Sequence, residues 1–409
     1  MTDGITQEKV KPAPARSHRA ALLGAMFLMA TSAIGPGFIT QTTVFTAKLG
    51  AAMAFAILVS VLIDIAIQMN VWRVVGVSGR RAQDLGNRVV PGAGYLLAAL
   101  DLFGGLIFNI GNVAGCALGM NAMFDLDVKI GGIVSAAIAI GIFLIRKAGV
   151  AMDRIVIVLG LVMILMTLYV VVVSGPPVGD ALKQSVFPDD VDFLVITTLI
   201  GGTVGGYIVY AGAHRMIESG VTGAENAGQI TRSSISGILI TAVMRILLFL
   251  AVLGVVAGGV TLNAKNPAPS AFQHAAGEAG LRVFGLIMWS AAITSVIGAS
   301  YTSISFLVSF SGWIERQRNW LVVAFIAVST VIYLWIGKAP VNLLILAGAL
   351  NGLILPVGLG LLLWVAGRRR DLLGGYRYPA WLLALGVIAW AVSLYVSYRA
   401  LTDIPKLWH

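Results

Sequence analysis

The stretch Ile34-Gly35-Pro36-Gly37-Phe38-Ile39-Thr40-Gln41-Thr42-Thr43 interrupts the first of eleven apolar segments that are each long enough to cross a bilayer. A second glycine-rich stretch, Gly201-Gly202-Thr203-Val204-Gly205-Gly206-Tyr207, interrupts the sixth segment. A helix break within lipid frees backbone N–H and C=O groups, which is tolerated only where they face protein or a polar cavity. Two breaks at matching places in the two halves are typical of the substrate site of a transporter built from an inverted repeat.

The composition also indicates a membrane protein. The chain has 409 residues, of which 58% are hydrophobic and 11% are charged, with a mean hydropathy of +0.92. A soluble domain has about 25% charged residues. The net charge of +10 comes from residues in short loops, so nucleic acid is not an expected partner. The single cysteine, Cys116, excludes a disulfide framework and a cysteine-based metal cluster.

We predict eleven membrane spans, because each segment holds the roughly 20 apolar residues needed to cross a core of about 30 Å. They lie at residues 19–47, 50–74, 93–123, 128–146, 152–174, 192–214, 233–260, 281–311, 320–337, 340–366 and 380–401. Arg and Lys residues concentrate in alternate loops, which predicts that those loops are cytoplasmic. We therefore expect a multi-pass protein of the plasma (inner) membrane, with a cytoplasmic N-terminus and an extracytoplasmic C-terminus at His409.

The predicted fold class is an all-α integral membrane protein with two halves of opposite orientation. Residues 1–18 form a polar, disordered cytoplasmic tail without the features of a cleavable signal. Residues 19–174 form the first five-helix repeat and residues 191–366 form the second, inverted repeat. Residues 380–402 form an additional helix, the eleventh.

Three stretches resemble a known family. Residues 342–356 resemble the tenth span, residues 290–301 the eighth span and residues 115–121 the end of the third span of the natural resistance-associated macrophage protein (NRAMP) family. Members of that family are proton-coupled divalent-metal transporters. The resemblance implies a LeuT-type fold with a 5+5 inverted repeat, one further helix, and breaks in helices 1 and 6.

The sequence departs from the family where the family binds metal and moves protons. The Asp-Pro-Gly-Asn motif of the first span is replaced by Gly35-Pro36-Gly37-Phe38. The Met-Pro-His motif of the sixth span aligns with Gly205-Gly206-Tyr207. The acidic pair of the third span aligns with Asn109 and Asn112, and a metal-shell Gln of the tenth span falls at Gly348. The resemblance therefore implies a transporter whose metal-binding and proton-route residues have been replaced.

Three functional hypotheses follow. Divalent transition metals need anionic oxygen or soft sulfur ligands, so we do not expect ordinary Mn²⁺ or Fe²⁺ transport and we name no metal ligand. The favoured substrate is a small polar organic solute such as an amino acid or a carboxylate. The alternative is a divalent-cation transporter with a Mg²⁺-like hydrated ion or a diverged metal site, and the third is a non-transporting membrane receptor or subunit.

No P-loop, His-x-x-x-His pair or nucleophile with a base is present, so we expect neither an enzyme nor a cofactor. The expected partners are the lipid bilayer and a small molecule or ion, and the sequence carries no signal for the oligomeric state.

The candidate site combines the helix breaks with polar residues of neighbouring segments. The candidate substrate-binding residues are Gly35, Pro36, Gly37, Phe38, Thr40 and Gln41 at the first break, Thr203, Gly205, Gly206 and Tyr207 at the second, and Asn109, Asn112, Gly348 and Asn351 around them. Backbone amides at the breaks suit a carboxylate. Gly37 and Gly206 are expected to adopt positive φ angles, which glycine permits. The competing reading is structural, because glycines pack membrane helices closely and the two asparagines can link helices.

Ionisable residues within spans are candidates for coupling or gating, because their burial in the membrane is energetically costly. They are Asp64, Asp101, His214 and Arg245, with Glu218 beside His214 at the inner end of the sixth segment. We expect Asp64 and Arg245 to form an ion pair, either as a structural clamp or as a coupling element. The alternative reading of His214 is an interfacial residue next to Arg215.

Overall fold

The computed structural model describes residues 15–145, 161–337 and 340–401, and the side chains of residues 15–20, 27 and 28 lie outside the description. The helices are α1 Ala15–Ala33, α2 Pro36–Leu49, α3 Met53–Ser78, α4 Ala82–Val89, α5 Ala93–Phe124, α6 Val128–Leu144, α7 Leu161–Ser174, α8 Val178–Gln184, α9 Phe193–Val204, α10 Tyr207–Glu218, α11 Ala227–Ala257, α12 Pro267–Val308, α13 Gly312–Arg316, α14 Arg318–Ile336, α15 Pro340–Arg368 and α16 Ala380–Ala400. Short 3₁₀ turns at Gly50–Ala52 and Ala224–Asn226 precede α3 and α11. The all-α prediction is confirmed.

Eight of the described helices are long and apolar enough to cross a membrane, or nine if the bent pair α7 and α8 counts as one span. In that count α2 and α3 run together as Pro36–Ser78, and α9 and α10 as Phe193–Glu218. The apolar helix α6 has 17 residues and is shorter than this criterion requires. Part of the predicted fifth segment, residues 1–14 of the predicted tail and the C-terminus at His409 lie outside the described residues, whereas residues 15–18, predicted as disordered tail, belong to α1. The exact number of eleven spans therefore stays a prediction.

Both predicted helix breaks are present. Between α1 and α2, Gly35 has φ −99° and ψ −175°, an extended conformation, and Pro36 begins the next helix. Between α9 and α10, Gly206 has φ 51° and ψ −132°, a conformation that favours glycine. Gly37, in contrast, lies within α2 and does not have a positive φ, so the expectation of a positive φ is correct for Gly206 and wrong for Gly37.

The broken helices lie in the interior because small residues let their neighbours approach closely. The longest helices, α5 and α12, pack along each other, and α15 packs on both α9 and α5. A side chain at Gly115 of α5 would overlap Pro36 at the first break. A side chain at Gly201 of α9 would overlap the backbone at Gly348 and Gly352 of α15. These close backbone contacts hold both breaks between α5, α12 and α15.

The predicted boundaries differ from the structure most on the side opposite the Arg-rich loops. The eighth span was predicted to begin at residue 281, but α12 begins at Pro267 and bends at Ala276 and Gly277. The stretch between the predicted fifth and sixth spans, to which no helix was assigned, contains α8. The buried Ala181 of α8 packs in the apolar core beside α3, which stabilises a helix too short for a hydropathy pattern to reveal.

Candidate substrate site at the helix breaks

The N-termini of α2 and α10 lie in the protein interior and have no side-chain caps. Gly35 precedes α2 and Gly206 precedes α10, and neither glycine can supply a capping side chain. The first N–H groups of a helix have no partner within the helix, and they carry a partial positive charge. Each break therefore presents backbone donors that suit an anionic or polar ligand group.

Three unpartnered polar side chains surround the first break. A Cβ built at Gly35 would lie 2.9 Å from Ser295 Oγ and 3.7 Å from Asn112 Oδ1. Tyr207, the first residue of α10, lies beside Asn112, and its ring makes an edge contact with Phe108. Ser295 Oγ finds no hydrogen-bond partner in the described chain, and Asn112 Nδ2 and the Tyr207 hydroxyl adjoin each other without hydrogen-bond geometry and have no other partner there. Side chains of α5, α10 and α12 thus bring free hydrogen-bonding groups to one point.

Gln41 contributes an amide from α2. Its Nε2 donates to the Leu344 carbonyl at 2.9 Å, while its Oε1 has no partner in the described chain. The side chain lies so close to Gly202 and Gly348 that a Cβ at either glycine would overlap it. Because neither glycine has a side chain, the Gln41 side chain fits between them. Gly348 therefore contributes to the site by leaving room for Gln41.

Asn351 contributes an amide at the second break. Its Nδ2 donates to the carbonyls of Gly104 at 3.0 Å and Ala347 at 2.9 Å, which fixes the side chain. Its Oδ1 has no partner in the described chain and lies beside Gly206, where a Cβ would come within 2.0 Å of it. A carbonyl oxygen is therefore held at the positive end of α10.

Other predicted residues are engaged within the protein. Asn109 donates to Ser300 Oγ at 3.1 Å and to Ser329 Oγ at 3.0 Å, and so links α5 to α12 and α14. Thr203 donates to the Leu199 carbonyl of its own helix at 2.8 Å. Thr40 is buried in α2. For Asn109 the geometry favours the structural reading over a substrate contact.

Asp64 and Arg245 are fully buried but do not form the expected ion pair. Asp64 lies near Arg245 and Thr203, yet neither carboxylate oxygen has a hydrogen-bond partner in the described chain. Arg245 instead places its guanidinium carbon 4.2 Å above the centre of the Phe38 ring. The prediction of a direct pair is therefore wrong, because the guanidinium packs on an aromatic ring that periodicity does not reveal.

His214 and Asp101 lie inside the bundle. His214 is 3% exposed, its Nδ1 is 3.1 Å from Ser305 Oγ, and its ring packs on Phe306. The His214 side chain is therefore enclosed by protein, close to Arg81 and Arg318, and the interfacial alternative stays open. Asp101 is buried in α5 near Tyr210, and its Oδ2 has no partner in the described chain. Both residues stay candidates for coupling.

Glu218, at the end of α10, joins several elements at what we call the arginine-rich end. Its Oε1 accepts from Arg318 of α14 at 3.3 Å and from Arg81 at 3.4 Å. Its Oε2 accepts from the Tyr301 hydroxyl of α12 at 3.4 Å, and Arg318 stacks on the Tyr301 ring. The contacts of Glu218 were not predicted, because its partners come from separate parts of the chain. It links the half-helix after the second break to α12 and α14.

The molecule has a cavity at each end of α5 and α12. A cavity of about 610 Å³ at the arginine-rich end is lined by Arg80, Arg81, Asp84, Arg88 and other residues. A cavity of about 370 Å³ at the opposite end includes Asn121, Asp125, Asn266, Glu278 and Arg282. Within the described ranges, no group of three or more His, Cys, Asp or Glu side chains is arranged to hold a metal ion.

Residues 26–403 match the family described as natural resistance-associated macrophage protein-like. YcsG, an uncharacterized membrane protein of Bacillus subtilis (strain 168), is 51% identical over 388 residues, covering 95% of this chain and 96% of that protein. An uncharacterized membrane protein of Haemophilus influenzae is 52% identical over 369 residues, covering 90% and 92% of the two chains.

Solved structures share the fold at low sequence identity. The Eremococcus coleocola manganese transporter, in complex with an aromatic bis-isothiourea substituted compound, superposes with a TM-score of 0.73 and 16% identity, covering 97% of this chain and 89% of that one. MhsT in complex with L-phenylalanine superposes with a TM-score of 0.67 and 13% identity, covering 93% and 98%. These similarities confirm the LeuT-type fold.

Proposed function

Because this chain belongs to the natural resistance-associated macrophage protein-like family, we propose that it is a secondary-active transporter that carries a small polar organic solute by alternating access. An amino acid or another small carboxylate is the favoured substrate class. Members of the family are transporters and not enzymes.

The fold alone does not select the substrate. One structure with this fold is named a manganese transporter, and another was solved with L-phenylalanine bound. At 16% and 13% identity, neither neighbour assigns its ligand to this chain. The chemistry of the residues at the breaks therefore has to decide between substrate classes.

The observation that carries the proposal is the set of free neutral groups at the first break. Asn112, Ser295 and Tyr207 have unpartnered polar atoms around the uncapped N-terminus of α2. A buried polar atom without a partner is unfavourable by about 1–3 kcal/mol. A solute with hydrogen-bonding groups would satisfy these atoms, and its negative end would suit the helix terminus.

The same residues do not favour a divalent metal. Mn²⁺ and Fe²⁺ are held by carboxylate, imidazole or sulfur ligands, and Mg²⁺ by carboxylate and carbonyl oxygens. The first-break groups are amide, hydroxyl and phenol, all uncharged. The divalent-cation alternative would need ligands from elsewhere, such as Asp64, whose carboxylate lies beside Arg245.

Movement of α2 and α10 against α5, α12 and α14 would open the site to one side at a time. The Glu218 network would hold the arginine-rich end closed, because it joins α10 to α12 and α14. If the Arg-rich loops are cytoplasmic, as the charge distribution predicts, this is the inner gate.

The experiment is uptake into proteoliposomes of labelled amino acids, hydroxy and oxo acids, nucleobases, Mn²⁺ and Mg²⁺. We expect saturable uptake of at least one organic solute, and a KM about tenfold higher for Ser295→Ala. The control is Ser236→Ala, since the Ser236 hydroxyl bonds only the Arg232 carbonyl of its own helix at 2.9 Å. Saturable uptake confined to the metal ions, or binding of a solute without transport, would contradict the proposal.

A further inference from the structure

Arg245 is a buried guanidinium with most of its hydrogen-bonding capacity unused. It lies in the middle of α11 and is 1% exposed. Within the described chain its one hydrogen bond runs from Nη1 to the Leu199 carbonyl at 3.4 Å, which is long. Nε and Nη2 have no partner in the described chain. A buried cation with free donors is costly, so such a residue within a membrane span calls for a functional explanation.

The free donors lie on the side of the guanidinium that recognises carboxylates. Nε and Nη2 point in the same direction and can donate two parallel hydrogen bonds to the two oxygens of one carboxylate. The guanidinium carbon lies 4.2 Å from the centre of the Phe38 ring, and this contact uses neither Nε nor Nη2, which have no partner in the described chain. Asp64 does not use the edge, since its oxygens are also unpartnered.

The position of Arg245 connects it with the helix breaks. Phe38 is in the first turn of α2, about 4.5 Å along the helix axis from Gly35. Leu199 is in α9, which ends at the second break. The guanidinium therefore contacts both broken helices, α2 through Phe38 and α9 through the Leu199 carbonyl, while Asn112 and Ser295 approach the first break from α5 and α12.

We propose that Arg245 binds the carboxylate of the transported substrate, so that the substrate class is small organic acids, including zwitterionic amino acids. The carboxylate takes the Nε–Nη2 edge, and the remaining polar groups of the substrate face Asn112, Ser295 and Tyr207. This assignment rests on the proposed transport function and restricts the transported substrates to molecules that carry a carboxylate.

The cavity at the arginine-rich end is consistent with an anionic substrate. Its lining includes Arg80, Arg81 and Arg88 but only one acidic residue, Asp84. A concave surface with an excess of one charge raises the local concentration of ions of the opposite charge. A carboxylate moving between this cavity and Arg245 would encounter a favourable potential at both points.

The test compares acids with their uncharged amides on the purified full-length protein. The probes are L-lactate with L-lactamide, L-proline with L-prolinamide, and L-phenylalanine with L-phenylalaninamide, followed by thermal shift and by titration of the apparent Kd. We expect at least one acid to stabilise the wild type and its amide to bind at least about 30-fold more weakly, as expected when one partner of a buried charge pair is removed.

Three variants separate binding from folding. Arg245→Gln should lose the preference for the acid over the amide, and Arg245→Lys should retain only part of it, because lysine lacks the planar fork. In Arg245→Gln the buried Asp64 carboxylate lacks its neighbouring cation, which could impair folding. The double variant Asp64→Asn, Arg245→Gln removes both charges and therefore avoids this defect. Arg232→Gln is the control, because it removes the same charge from an exposed position of α11.

The outcomes distinguish this inference from the proposed function. A transported solute whose amide binds as well as its acid would overturn the role of Arg245 and leave organic-solute transport intact. If the folded Arg245→Gln variant still binds the acid more tightly than its amide, the role of Arg245 is likewise overturned and organic-solute transport is left intact. Uptake restricted to Mn²⁺ or Mg²⁺ would overturn both.

Discussion

Asn109 and Asn112 lie one turn apart on α5, yet their side-chain amide nitrogens differ in their hydrogen bonds. Asn109 Nδ2 donates to Ser300 Oγ at 3.1 Å and to Ser329 Oγ at 3.0 Å, while its Oδ1 has no partner in the described chain. Asn112 Nδ2 has no partner in the described chain, and its Oδ1 approaches the first helix break. The amide nitrogen of Asn109 joins helices, and the amide nitrogen of Asn112 is available to a ligand.

This difference predicts opposite effects of the same substitution. Asn109→Ala should lower the thermal stability, because it removes two buried hydrogen bonds and lowers the free energy of unfolding by about 1–3 kcal/mol. Asn112→Ala should leave the melting temperature nearly unchanged and raise the KM for the organic solute about tenfold. Differential scanning fluorimetry and proteoliposome uptake on both variants measure this. Equal loss of stability in the two variants would contradict the division of roles.

Gly206 should not tolerate a side chain. Its φ of 51° with ψ −132° is almost restricted to glycine, and a Cβ would lie 2.0 Å from Asn351 Oδ1. Such backbone strain is unfavourable by about 1–3 kcal/mol. We expect Gly206→Ala to abolish ligand binding while the protein still inserts and purifies as a monodisperse species.

The matched control is Gly228→Ala in α11, where a Cβ would meet nothing within 4 Å. This variant should bind and transport like the wild type. Normal ligand binding by Gly206→Ala would show that the second break is not part of the site. Gly37→Ala should have a much weaker effect than Gly206→Ala, since the nearest atom to its Cβ would be 3.5 Å away.

Mn²⁺ should not be a substrate at micromolar concentration. The uncharged amide, hydroxyl and phenol groups at the first break are poor replacements for the water shell of a divalent cation. We expect no saturable Mn²⁺ uptake into proteoliposomes and no Mn²⁺-dependent acidification, because Asn109 and Asn112 cannot carry protons. If proton coupling to an organic solute is found, Asp64→Asn is the first variant to measure, followed by changes at Asp101 and His214.

Glu218 should hold the arginine-rich end closed. Glu218→Gln weakens its contacts with Arg81 and Arg318, a change worth about 1 kcal/mol for a small network of partly exposed pairs. A single-cysteine reporter at Ser305, in a Cys116→Ala background, should then react about fivefold faster with a maleimide. Glu225→Gln, an exposed residue beyond α10, is the control. An unchanged rate in Glu218→Gln would argue against a gate at this network.

The predictions from sequence were correct where the signal is local. Long apolar segments and glycine-rich interruptions identified an all-α membrane protein with breaks at Gly35 and Gly206, because lipid permits irregular backbone only at protected sites. Element ends were less accurate, as at Pro267 and in the stretch that forms α8, because packing against neighbouring helices stabilises residues that hydropathy assigns to loops.

The roles of individual polar residues required the tertiary structure. Asn109 and Asn112 have the same chemistry and nearly the same position in the sequence, and Asp64 and Arg245 have complementary charges that suggested a pair. Whether a polar side chain is used by the protein or left free depends on which distant residues face it, such as Ser329 for Asn109 and Phe38 for Arg245. Sequence by itself determined the membrane fold and its two broken helices, because periodicity and glycine act through local backbone physics. Only the packing of separate helices decided which buried groups remain open to a ligand.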